Sequence, residues 1–229
     1  MQTICISLGG SIVSKEKGVD VGFIERFGEM IKKDKTHKFI IIVGGGYVNR
    51  TYLNQVREAV QDDTLLDAMG IYFTRINAMT VKGIFERENM DVHSSIVRDL
   101  ETLALVNKVH KIVLMGGLIP GITTDCVGIM AAEATRAGTL INMSNVDHVY
   151  DKDPRAHKDA KPFGKMSYDQ LISLAAEADS RQAKANFIFD LVACKLAKRS
   201  HVKVKFVKED IKQLQAAING DNFGGTVVG

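Results

Sequence analysis

The sequence predicts an α/β protein, an open and mainly parallel sheet with helices on both faces. Three observations carry this. Short, mostly apolar runs recur at residues 4–8, 39–43, 112–115 and 140–143, as in strands buried on both faces, and residues 202–207 read as a late strand. The segments between them place apolar residues at helical spacing. Four of the runs break directly into a turn: Gly9-Gly10-Ser11, Gly44-Gly45-Gly46, Gly116-Gly117 with Pro120-Gly121, and Ser144-Asn145-Val146-Asp147.

The elements follow in order. After a polar loop at 14–18, Phe23, Ile24, Phe27, Met30 and Ile31 predict a helix, with Lys32, Lys33 and Lys35 at its negative end. A helix follows the triple glycine, with Tyr52, Val56 and Val60 on one face. Leu66, Met69, Phe73, Ile76 and Met79 predict another over 65–82, and the methionines read as core. Residues 92–97 fit neither period. Thr123 and Thr124 start a helix carrying Val127, Met130, Ala131 and Ala134, with Gly138 as its stop. Ser167 and Gln170 form a capping box. Helix recurs at 191–198 and 211–218 on either side of the last strand.

Composition narrows the function. A net charge of +3 on 229 residues, with scattered basic residues, argues against a nucleic-acid partner. Cys5, Cys126 and Cys194 are far apart, with no C-x-x-C pair, so free thiols in a reducing compartment are expected. The six histidines lack metal-ligand spacing, and no metal site built from protein ligands is expected. There is no leader-like start and no apolar run of membrane-spanning length. The expectation is a cytoplasmic protein without membrane contact.

Several glycine turns at one sheet edge would expose backbone N–H groups with no side chains in the way, which suits phosphate oxygens. Neither G-x-x-x-x-G-K-[ST] nor a strand-linked G-x-G-x-x-G is present, so another architecture is needed. Arg50, one helical turn past the triple glycine, reads either as a bidentate phosphate ligand or as a surface arginine. Thr123 and Thr124 suit a phosphate or a uracil-like edge. Asp125 either favours its helix dipole or holds cationic groups or Mg²⁺ in place. Asp147, Tyr150 and Asp153 suit a ribose or adenine, or a plain Asx-turn.

Taken together, these motifs resemble the amino acid kinase superfamily, and more closely its archaeal-type uridylate (UMP) kinases. The residues that carry the resemblance are Ser7-Leu8-Gly9-Gly10-Ser11, Val43-Gly44-Gly45-Gly46 with Arg50, Asp67-Ala68-Met69-Gly70, Thr74-Arg75-Ile76-Asn77-Ala78-Met79, Met115-Gly116-Gly117, Thr123-Thr124-Asp125, Asn145-Val146-Asp147, Val149-Tyr150, Asp153-Pro154, Asp190-Leu191 and Lys195. The resemblance implies a three-layer αβα sandwich in a single domain. Residues 1–135 would form an acceptor-side lobe and 136–229 an ATP-side lobe. It implies transfer of the γ-phosphoryl of Mg·ATP to UMP, with Mg²⁺ held by the ATP phosphates, in a homohexamer built as a trimer of dimers. Gly10, Ser11, Gly46 and Arg50 would face the ATP phosphates, and Ser144, Asn145, Tyr150 and Asp153 the nucleoside. Gly45, Asp67, Leu118, Ile119, Pro120, Gly121, Ile122, Thr123 and Thr124 would hold UMP, with Asp67 on the ribose hydroxyls. Asp125 would organise the cationic groups, and Lys195 would balance charge on the transferred group.

The chain departs from the superfamily pattern at Ser7, where many members carry lysine, and at His148 and Lys184, where glycine is usual. A positive φ is expected at 148. Leu118 and Ile122 replace polar residues of the acceptor loop. Two other readings stand beside the leading one: a kinase of the same fold for another small phosphate or carboxylate, and a nucleotide-binding storage or regulatory protein without turnover.

Overall fold

A computed structural model describes residues 1–154, 156–180 and 189–229. Lys184 lies outside the described residues. Strand β1 (Gln2–Leu8) leads through the single turn of α1 (Gly10–Val13) to a small hairpin, β2 (Ser14–Lys15) and β3 (Gly18–Val19), and then to α2 (Val21–Lys33). Next come β4 (His37–Val43), α3 (Gly46–Val56), the long α4 (Asp63–Arg87), α5 (Leu100–Val109) and β5 (Ile112–Met115). Helix α6 (Thr124–Ala134) returns to β6 (Thr139–Ser144). Short strands β7 (Val149–Tyr150), β8 (Pro162–Phe163) and β9 (Lys165–Met166) precede α7 (Tyr168–Ser180). The chain closes with α8 (Leu191–Ser200), β10 (Lys203–Lys208), α9 (Ile211–Asn219) and β11 (Gly225–Val228).

The main sheet runs β5-β4-β1-β6-β10-β11-β9. Its pairs are parallel except β10 with β11; β11 and the edge strand β9 beyond it lie outside the apolar runs. Chain order moves outward from β1 through β4 to β5, then returns to the other side at β6. The carboxyl ends of β1, β4 and β6 therefore form a topological switch point, where open α/β sheets leave a crevice. Alternation along the central strands feeds two cores. Ile4, Ile6, Leu8, Phe39, Ile41 and Val43 pack against α2, α4 and α9. Cys5, Ile40, Ile42, Val113 and Met115 pack with residues of α5, α6, α7 and α8 on the opposite face. This is the expected three-layer sandwich.

Local expectations fared unevenly. The Ser167–Gln170 capping box is present: the Ser167 N–H donates to Gln170 Oε1 at 2.9 Å, and the Gln170 N–H to Ser167 Oγ at 3.2 Å. Residues 92–97 meet the edge strand only at isolated bridges, Val92 with Ile112 and Val97 with Met115. The stop after α6 falls earlier than Gly138, because Arg136 already takes the left-handed conformation at φ 56°. The inward faces of α3 and α4 were misassigned. Helix α3 ends at Val56, short of Val60, and Tyr52 is exposed. On α4, Ile76 and Met79 are also exposed, at 54% and 60%. Leu66 is buried as expected, and the rest of the buried face is Thr74, Asn77, Ala78, Val81 and Phe85. Two apolar stripes share this helix, and the inward one includes polar residues that periodicity alone does not select. Among the described residues no helix is long and apolar enough to cross a membrane.

Candidate active site

At the switch point lies a cleft of about 280 Å³ lined by Ser7, Gly9, Gly10, Ser11, Gly44, Gly45, Gly46, Asn49, Arg50, Thr124, Asp125, Asn142 and Ser144. Three of the four strand-end turns converge there. Two of them are built in direct backbone contact. A Cβ at Gly10 would lie 2.1 Å from the Gly46 nitrogen and 2.5 Å from the Gly44 carbonyl carbon, so no side chain fits. Gly46 opens α3 at φ +74°, a conformation that glycine adopts without strain, and a Cβ there would meet the Gly10 oxygen at 2.4 Å. The turns hang on the sheet through Gly9 N–H to Met143 O at 2.9 Å and Gly44 N–H to Leu8 O at 3.0 Å. Buried Asn77 on α4 reaches under the triple glycine, its Nδ2 donating to Gly44 O at 2.8 Å and Gly45 O at 2.9 Å. These bonds satisfy the turn's carbonyls from below and leave the cleft face to N–H groups and Arg50.

The same helix holds the loop after β5. Thr74 Oγ1 accepts from the Gly117 N–H at 2.7 Å. Arg75 donates to Gly117 O at 3.2 and 3.1 Å and to Leu118 O at 3.3 Å. Asp67 Oδ2 accepts from the Gly121 N–H at 2.7 Å. Asp67 is thus bound to the loop expected to hold the acceptor, and it does not line the cleft. Leu118 and Ile122 turn towards the protein and pack against the core as partly buried side chains. Ile119, Pro120 and Gly121 are exposed beyond the cleft rim. Thr123 is the N-cap of α6, accepting from the Cys126 N–H at 3.3 Å, and its hydroxyl donates to Asp190. Of this acceptor set, Gly45 and Thr124 line the cleft.

Asp125 stands at the cleft floor. Its Oδ1 accepts from Ser7 Oγ at 2.9 Å and from Asn142 Nδ2 at 2.8 Å. Burial pushes its carboxyl up to about 7, with the Asp190 charge adding to the rise and the two hydrogen bonds opposing it. Asp190 itself caps α8, accepting from the Ala193 N–H at 2.8 Å, and its carboxylate also receives Cys126 Sγ at 3.4 Å. Burial raises all three thiols to about 12, so they are inert packing groups at neutral pH.

The residues expected around a nucleoside are only partly gathered. Ser144 lines the cleft, whereas Asn145, Tyr150 and Asp153 do not. Their loop bonds to itself: Tyr150 Oη and the His148 N–H both donate to Asp147 Oδ1 at 3.0 Å. His148 is absent from the residues with positive φ, so the expected strain there does not occur, and its side chain leaves the cleft open. Lys195 is exposed on α8, away from the cleft lining. Sequence reading did not assign Ser7, Asn49 or Asn142 to the site. The signal for two of them was legible, a polar residue inside an otherwise apolar strand. Among the described residues no cluster of three or more His, Cys, Asp or Glu could hold a metal ion.

Gly10→Ala should force the two turns apart. The expected result is a fall in melting temperature and a loss of nucleotide binding of at least tenfold, read by calorimetry and titration. Unchanged nucleotide affinity would show that the backbone contact is dispensable. Asp125→Asn gives a second outcome. The folded pKa of Asp125 is raised, so the folded state keeps a proton that the unfolded chain releases from about pH 4 upward. That term erodes stability as pH rises from about 4 towards 7, and Asn removes it. The variant should melt higher than wild type at pH 8 and equally at pH 4, while losing activity.

Comparison with known proteins agrees with this geometry. The model of the amino acid kinase family matches residues 2–208. A protein called uridylate kinase from Methanocaldococcus jannaschii is 36% identical over 230 residues, covering 98% of each chain. Another of that name from Thermoplasma volcanium is 33% identical over 219 residues, covering 96% of this chain and 94% of its own. The crystal structure of uridylate kinase from Archaeoglobus fulgidus superimposes with a TM-score of 0.86 at 30% identity, over 100% of both chains. The bare-backbone cleft, the sheet order and these likenesses lead to one conclusion: the chain belongs to the amino acid kinase family.

Proposed function

We propose that this chain is a uridylate kinase, transferring the γ-phosphoryl of ATP to UMP to give UDP. The carrying observation is the convergence of two side-chain-free turns, Arg50 and Asp125 in one cleft at the switch point. Phosphoryl transfer through a loose transition state needs positioning and charge neutralisation rather than a covalent catalyst. The UMP phosphate is already a nucleophile, so no general base is required.

Gly10, Ser11, Gly46 and Arg50 bind the ATP phosphates. Ser144, Asn145, Tyr150 and Asp153 form the nucleoside side, in the lobe of residues 136–229. Gly45, Asp67 and the loop 118–124 form the acceptor side in residues 1–135, with Asp67 acting both on the ribose and on its own loop. Lys195 reaches the transferred group only after a movement of α8 or its side chain. The residues also fit a phosphate-bound Mg²⁺: the cleft is rich in donors, and its one carboxylate, Asp125, has an Oδ2 with no hydrogen-bond partner among the described residues. Mg²⁺ held by the ATP phosphates would supply neutralisation of phosphate charge, and Asp125 would organise the cationic groups around the phosphates.

The partner for α4 is a second copy of this chain in a cytoplasmic homo-oligomer. Leu65, Tyr72, Ile76 and Met79 are exposed and, with the half-buried Met69 between the first two, form a stripe with alternating steps of four and three residues.

Purified protein given Mg·ATP and UMP should release ADP in a coupled assay, with an acidic limb near pH 7 from Asp125 and a drop of about 10²-fold in Asp125→Asn. Turnover with another acceptor and none with UMP overturns the substrate; tight ATP binding without transfer to any acceptor overturns the enzyme. Ile76→Glu should dissociate the oligomer in light scattering, and an unchanged mass would place the interface elsewhere.

A further inference from the structure

Two polar residues interrupt apolar strands beneath the cleft. Ser7 lies between Ile6 and Leu8 in β1, and Asn142 between Ile141 and Met143 in β6. All four apolar neighbours are buried, and Ser7 and Asn142 are themselves only 3% and 4% exposed. The two are direct cross-strand partners in the parallel register of β1 and β6. A polar group buried in a central strand costs free energy unless it is bonded. One acceptor accounts for both, since each donates to the same atom, Asp125 Oδ1. The Asn142 amide shows what it is placed for. Its nitrogen is used, while its Oδ1 is buried with no donor. Turned over, the amide would set its oxygen against the carboxylate, and only a protonated Asp125 would accept that.

We propose that Ser7 and Asn142 are positioning residues: a two-donor clamp that fixes Asp125 Oδ1, turns Oδ2 to the cleft, and governs when Asp125 carries charge. The kinetic consequence rests on the reading of the cleft as a phosphoryl-transfer site; the clamp itself does not. Clamping by neutral donors differs from holding the carboxylate with a cation. It stabilises the charged form without adding positive charge, and burial keeps the group close to its protonation point. Other groups face the carboxyl. Asp190 and Cys194 approach from α8, and Arg50 borders the cleft from α3. Asp190 is the charged one among them that acts on it, and it raises the titration further.

The test is the titration of the Asp125 carboxyl in ligand-free protein, followed by carbon-13 NMR with labelled aspartate and assigned through Asp125→Asn. Wild type should titrate near neutrality. Ser7→Ala and Asn142→Val should each move the midpoint upward by about one pH unit, the worth of one hydrogen bond to a charged group, and the double variant further. Ser7→Thr keeps the hydroxyl and should restore the wild-type midpoint. With UMP and Mg·ATP, the acidic limb of kcat should move by the same amount, with KM for either substrate changed less than about threefold. Cooperative melting of each variant separates this from misfolding. Midpoints equal to wild type in folded Ser7→Ala and Asn142→Val overturn the clamp. Shifted midpoints in a protein that does not phosphorylate UMP sink the kinase reading and leave the clamp standing.

Discussion

The site depends on one close approach, that of the Gly10 backbone to the turn from Gly44 to Gly46. The gap leaves no room for a Cβ on either side. Each of these glycines is costly in conformational entropy, roughly 0.5–1 kcal/mol relative to alanine, and the contact offsets none of that by burying apolar surface. Its gain is a pair of turns whose N–H groups share one space. Much of the surrounding structure keeps that pair closed. Parallel pairing of β1 with β4 brings the two turns to the same height, and Asn77 bonds the carbonyls that would otherwise face the protein interior unpaired.

This explains the composition of α4. A 25-residue helix against a sheet would ordinarily bury an unbroken apolar stripe. Here Thr74, Arg75 and Asn77 interrupt it, and each bonds main-chain atoms of the loops after β4 or β5. The helix is a rigid bar that fixes two loops against each other. Its outward apolar stripe is then free for a different contact. Those two demands are why its periodicity misled: reading Ile76 and Met79 as core treats the helix as having one apolar face.

The fold was legible because its strongest signals are local. Buried parallel strands, turn glycines and helix caps are each written in a few adjacent residues, and they agree with one another. Parts of the site were legible for the same reason. Gly10, Gly45, Gly46, Arg50 and Asp125 sit at strand ends or helix starts. What escaped was pairing between distant segments. Nothing near Asp67 announces that its carboxylate will cap Gly121, 54 positions away. Nothing near Ser7 announces Asn142. Leu118 and Ile122 looked like anomalies in a binding loop because their partners lie in the core, and those partners come from other elements.

A carboxylate at the floor of an anion site raises an electrostatic question, since its charge opposes the phosphates it would serve. Its surroundings resolve this. Burial and Asp190 disfavour the ionised form, while Ser7 and Asn142 restore it only in part, so Asp125 sits near its protonation point at neutral pH. Such a group can stay neutral in the empty cleft and ionise when cationic charge enters with a substrate. A nearby cation favours the charged state and lowers the pKa. A lysine at position 7 would have held the carboxylate ionised permanently, with its own charge fixed in the site. Ser7 instead leaves the balance to whatever occupies the cleft. The charge of the floor then follows the charge of the load, and the cost of burying an ion falls on the occupied state, where it is compensated.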